Sequence, residues 1–185
     1  MPDFRHRLNA RQRRVYDRSN QVSSVRLPTV AKLRVVARAL FECLPEGKAR
    51  EVQALTQELA DLLTAALRVP PVSVAVGNRR PSNMHGELHG LYLRPERGSR
   101  ARIRVWMRTA KRKQVVAFRT YLRTFLHEIC HHLDYELLRL PDSFHTDGFY
   151  RREASLFRQL WPFPREHDTR PAAPPLSHDD SPRLF

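Results

Sequence analysis

Between Gln114 and about Leu140 the apolar residues recur at helical spacing, and two histidines, His127 and His131, stand four apart within that run. This pairing constrains the fold most. The segment must be a helix buried along one side while it offers both imidazoles together on another. Four residues advance an α-helix by about 400°, so the two side chains lie about 40° apart and one turn from each other. Two imidazoles so placed can each give a nitrogen to one Zn²⁺ ion. Glu128 sits about 100° round from His127, close to such a metal without ligating it, which suits a general base acting on water. The run from His127 to His131 is thus a His-Glu-x-x-His pattern. Val115, Leu122, Leu126, Ile129, Leu133 and Leu137 form the apolar side. His127, His131 and Asp134 gather about 120° round from its centre. Asp134 either orients His131 from behind or is a solvated carboxylate.

A catalytic zinc usually takes three protein ligands and leaves a position for water. The downstream candidates are His145, Asp147 and Glu153. His145 follows a break at Pro141 and precedes Gly148, so it falls on a loop or first helical turn able to fold back over the pair. It is the favoured third ligand. Glu153, inside the following helix, is the alternative, with Asp147 behind both. His132 points about 100° away from His131 and reads as solvent-facing or as a helix-packing residue. Cys130 reads as a small buried residue. His85 and His89 in MHGELHG read as a loop pair.

The rest of the chain predicts an α+β domain over residues 29–162. Leu33, Val36, Leu40 and Cys43/Leu44 mark one helix, N-capped by Thr29 and stopped by Pro45 and Gly47. Val52, Leu55, Leu59, Leu62/Leu63 and Ala66/Leu67 mark a second, ended by Pro70-Pro71. Three short strands follow, at Val72–Val76, Leu88–Leu93 and Ile103–Met107, expected to form a small, mainly antiparallel sheet. In the last of them Ile103, Val105 and Met107 alternate with Arg102, Arg104, Trp106 and Arg108, giving one apolar and one cationic face. A final helix runs from about Gly148 to Leu160. Residues 1–28 read as a basic arm or helix with little apolar face, and 163–185 as a disordered, Pro-rich tail.

Charge narrows the partners. The chain carries 33 Lys and Arg against 19 Asp and Glu, a net +14. Residues 94–123 hold eleven basic residues against Glu96 alone. Charge focused in this way favours DNA, RNA or another polyanion as a partner. Two cysteines cannot build a disulfide framework or a four-cysteine zinc ribbon. No apolar run approaches the roughly 18–20 residues of a membrane span, and no apolar stretch follows the basic start as in a secretory signal. The expected setting is cytoplasmic, without membrane partners.

HEICHHLDY followed by SFHTDGFYRRE resembles the SprT/Spartan-like zinc metallopeptidases over about residues 29–160. The resemblance implies an α+β, zincin-like core with zinc on His127, His131 and His145. It also implies Glu128 as catalytic base, Phe149 as the aromatic after the third ligand, and hydrolysis of protein or peptide substrates, including DNA-associated proteins. The chain lacks the cysteines for the C-terminal zinc ribbon of many relatives. Zincins generally bind extended substrate against an edge strand near the motif helix. Ile103–Met107 would be that strand, its arginine face favouring acidic substrates or a polynucleotide. Tyr135, Tyr150 and Arg151 are the candidate oxyanion donors. The alternative is a nucleic-acid-binding module in which the zinc is structural or the site dormant.

Overall fold

The structure is a computed structural model that describes residues 4–84, 86–96 and 98–161. A 3-10 turn at Phe4–Arg7 leads into α1 (Ala10–Gln21), α2 (Ala31–Cys43) and α3 (Ala49–Leu67). Five strands follow: β1 (Val72–Arg79), β2 (Ser82–Asn83), β3 (Gly86–Glu87), β4 (Gly90–Leu93) and β5 (Ala101–Arg108). The chain then forms α4 (Phe118–Glu136) and α5 (Asp147–Leu160). Among the described residues this is an α+β arrangement of five α-helices and a small mixed sheet, with β2 and β3 as a separate two-stranded ribbon. The expected Pro-rich tail, 163–185, lies outside the described residues, as does His85.

The main sheet has the order β1-β5-β4. β5 pairs parallel to β1 and antiparallel to β4, so the sheet is mixed rather than mainly antiparallel. The cause lies in α3. After Leu67 the chain reverses through Arg68, in a left-handed conformation at φ 54°, and β1 runs back along the helix. Gln53 and Gln57 of α3 then act as a surrogate strand. Gln57 Oε1 accepts from Val74 N at 2.7 Å and Gln53 Oε1 from Val76 N at 2.7 Å. Their amides donate to Val74 O at 2.8 Å and Val72 O at 3.0 Å. One edge of the sheet is thereby closed by side chains, and β4 is the edge left open.

β5 is central. Its expected role as the substrate edge is therefore corrected, because strand order depends on where β1 docks and not on the pattern within β5. Ile103, Val105 and Met107 are buried and Arg102 and Arg104 exposed, as the alternation requires, but Trp106 is 6% exposed rather than part of a cationic face. α4 is buried almost all round, with Leu122, Phe125, Leu126, Ile129 and Leu133 in the core beside Leu40, Leu59, Leu63 and Leu156. Leu137, expected on that face, is 36% exposed at the end of the helix.

Of the expected basic arm or helix over residues 1–28, the described part contains the helix α1 and packs onto the rest of the fold. Val25 and Leu27 belong to the main core, and Val15 and Ser19 of α1 are buried. Asn9 caps α1 through a reciprocal pair with Gln12. The helix docks through hydrogen bonds more than through an apolar stripe, so hydrophobic periodicity does not reveal it.

Candidate metal centre

α4 carries His127 and His131 one turn apart, their ring centroids separated by 5.0 Å. The loop between α4 and α5 brings His145 across them. Its Nε2 lies 3.0 Å from His127 Nε2 and 3.1 Å from His131 Nε2. The three imidazoles form a cluster that can hold a metal ion. His145, rather than Glu153 or Asp147, is the third member. Asp147 is exposed in the first turn of α5.

Each histidine of the motif is held from behind. His127 Nδ1 lies 3.3 Å from Glu153 Oε2, and Arg123 Nη1 donates to Glu153 Oε1 at 3.2 Å. Glu153 therefore orients His127 and stands outside the three-histidine cluster. His131 Nδ1 lies 2.7 Å from Ser143 Oγ, which donates to Asp134 Oδ2 at 2.7 Å. Asp134 Oδ1 accepts from Arg152 Nη2 at 2.7 Å, and this pair is fully buried. Carboxylates in these places keep Nδ1 protonated and turn the Nε2 lone pairs toward a shared point. Asp134 thus orients His131 through Ser143 and is not a solvated carboxylate. Ser143 and Arg152 carry no motif by which the sequence could have marked them.

Burial disfavours the charged forms of His131, His145 and Glu128. It pushes the His131 pKa down to about 3, with His127 and His145 adding to the shift, and lowers that of His145. Neutral imidazoles are the form that ligates a metal. Glu128 is 6% exposed, and burial raises its carboxyl pKa to about 7 against the opposing pull of His127. β4 makes room for this carboxylate. A Cβ at Gly90 would stand 2.9 Å from Glu128 Cγ and Cδ, so only glycine lets the strand pass so close.

Two adjoining grooves meet at His127 and Glu128. One is bounded by His89, Arg123 and Glu153. The other is bounded by Tyr92, Arg94, Tyr135 and Ser143 and opens onto His131 and His145. His132 faces away from both, buried, with Nε2 donating to Pro70 O at 2.8 Å and Nδ1 3.1 Å from Tyr92 Oη. It is a packing residue that ties α4 to β4 and to the turn before β1. Cys130 is buried and free. Phe149 packs against all three imidazole rings, with centroids 4.8–5.1 Å away. Tyr150 lies 5.9 Å from the His145 ring, and Arg151 is exposed and lines neither groove.

Set beside known proteins, the chain matches no family model, no curated protein and no solved structure. Among the described residues, no helix is long and apolar enough to cross a membrane.

Proposed function

We propose that the chain is a zinc-dependent endopeptidase of the SprT-like zincin kind, with zinc on His127, His131 and His145 and Glu128 as general base. The observation that carries this reading is the convergence of three imidazole Nε2 atoms beside a buried carboxylate. The donor set fits zinc. Three imidazoles, two of them with their outer nitrogens engaged by Glu153 and Ser143, make a donor set of the kind that leaves zinc a position for water or substrate. Zinc bound there would supply Lewis-acid chemistry, acidifying water and polarising a carbonyl. Glu128 would take a proton from the attacking water and pass it to the leaving amine. Tyr135, which lines the groove, and Tyr150, whose ring lies 5.9 Å from that of His145, are the candidate hydroxyl donors toward the developing oxyanion. An extended peptide would add to the open edge of β4, since the opposite edge of the sheet is closed by Gln53 and Gln57.

The test is hydrolysis of an unstructured protein by the zinc-loaded chain beside Glu128→Gln. The reading requires that the variant keep zinc and lose cleavage. Cleavage retained by Glu128→Gln would remove Glu128 as base.

A second reading, a DNA- or RNA-binding surface, is favoured by exposed Arg102 and Arg104 on the outer face of β5. It entails binding that weakens steeply with salt, is indifferent to Glu128→Gln, and falls when both arginines are reversed to Glu. Action on DNA-associated proteins would require both properties, in a cytoplasmic setting.

A further inference from the structure

We propose that Arg94, stacked on Tyr135, is a carboxylate-binding subsite that selects peptides with an acidic side chain about two residues from the histidines. The identity of the ligand as a peptide rests on the peptidase reading above; the subsite itself rests on the following geometry.

Arg94 follows directly on β4, the open edge strand, and lines the groove that contains His127, Glu128 and His131. Its Cζ lies 4.2 Å from the centroid of the Tyr135 ring. Tyr135 stacks on Tyr92, at 5.9 Å and 16°, and Tyr92 on His131, at 6.3 Å and 25°. A continuous stack therefore leads from the ligand to the guanidinium. Tyr135 is one helical turn beyond His131, about 5.4 Å along the axis, and an extended chain rises about 3.3 Å per residue. This spacing sets the reach of about two residues.

The chemistry follows from how Arg94 is held. A guanidinium laid on an aromatic face is fixed in orientation, yet its N–H edges stay free. That edge matches a carboxylate through two parallel hydrogen bonds. Among the described residues, Arg94 forms no ion pair. Neighbouring Glu136 pairs with Arg139 at 3.6 Å. The basic residue of the adjoining groove, Arg123, is already engaged by Glu153 at 3.2 Å. Among the described residues, Arg94 is thus the arginine of the two grooves without an ion-pair partner; Glu128 is the carboxylate lining its groove, and Asp142 acts on Tyr135 from outside that lining. The preference for acidic substrates expected of the β5 arginines belongs instead to the residue that follows β4.

The experiment measures binding rather than turnover. Zinc-loaded Glu128→Gln is titrated, by fluorescence anisotropy, with labelled unstructured peptides of one length that carry either Glu or Gln at the same positions. The Glu peptide is expected to bind about tenfold more tightly, the ratio for one charge-assisted pair. That ratio should collapse toward unity when Arg94→Ala is added, and also with Arg94→Lys, which keeps the charge but loses the fork. It should persist with Arg102→Ala, which removes a charge from the outer face of β5. A ratio unchanged by Arg94→Ala, lowered equally by Arg102→Ala, or near unity in the parent overturns the subsite. Cleavage by the wild-type chain is scored separately, so a failure of the peptidase reading leaves this result standing or falling by itself.

Discussion

Asn20 near the end of α1 and Gly148 at the start of α5 are bound directly, Asn20 Oδ1 accepting the Gly148 N–H at 2.8 Å. The approach is too close for any side chain at 148, where a Cβ would stand 2.5 Å from Asn20 O and 2.6 Å from Ser19 O. Thr146 Oγ1, in the residue directly after His145, lies 3.3 Å from Ser19 Oγ. Arg152 completes the clamp, donating to Ser19 O at 2.6 Å and to Val22 O. The N-terminal helix therefore fixes the loop that delivers the third histidine.

Gly148→Ala is expected to lift α1 from α5 and loosen His145. Zinc affinity should fall by about tenfold, the lower range for loss of a supporting contact, and amide exchange should rise through α1. Unchanged exchange in α1 would separate this helix from the metal centre.

Ser143 and Asp134 act on the same histidine with different consequences. Ser143→Ala removes the bridge to His131 and should weaken zinc binding by about 10–100-fold with little effect on the metal-free fold. Asp134→Asn leaves the buried Arg152 charge without its partner and should cost about 3–5 kcal/mol of stability. Chemical denaturation of the metal-free chain, read beside zinc titration, distinguishes the two. Equal stability loss in both variants would contradict the assignment.

Gly90→Ala drives a methyl group into the Glu128 carboxylate. Zinc content should remain at the wild-type level while hydrolysis falls to that of Glu128→Gln. A fully active Gly90→Ala would show that Glu128 need not hold its position.

Gln57 tests the closed edge of the sheet. Gln57→Leu leaves Val74 N–H and Val72 C=O unpaired along β1, at a cost of about 1–3 kcal/mol for each buried group left without a partner. It should also raise self-association through the exposed edge, measured by sedimentation. A monomer of unchanged stability would refute the surrogate strand.

The legible part of this protein was its local part. Helical spacing placed His127, Glu128 and His131 on α4, and the Pro141 break placed His145 on a loop that returns to them. Alternation found β5 and the burial of Ile103, Val105 and Met107. What stayed hidden was set by partners distant in the chain. Nothing near β5 shows that β1 and β4 flank it, because the order depends on Gln53 and Gln57 drawing β1 along α3. Arg152 and Asp134 are ordinary charges in sequence and a buried pair only once α1, α4 and α5 meet. α1 has few apolar residues because its docking relies on the carbonyls of Ser19 and Val22, groups that every residue carries.

The central claim is that His127, His131 and His145 together hold zinc while Glu153 supports them. Zinc content of the purified chain beside His145→Ala and Glu153→Ala tests it most directly. The account predicts stoichiometric zinc in the wild type, loss in His145→Ala, and retention with weakened affinity in Glu153→Ala. Zinc absent from the reconstituted wild type, or lost only in Glu153→Ala, would contradict it.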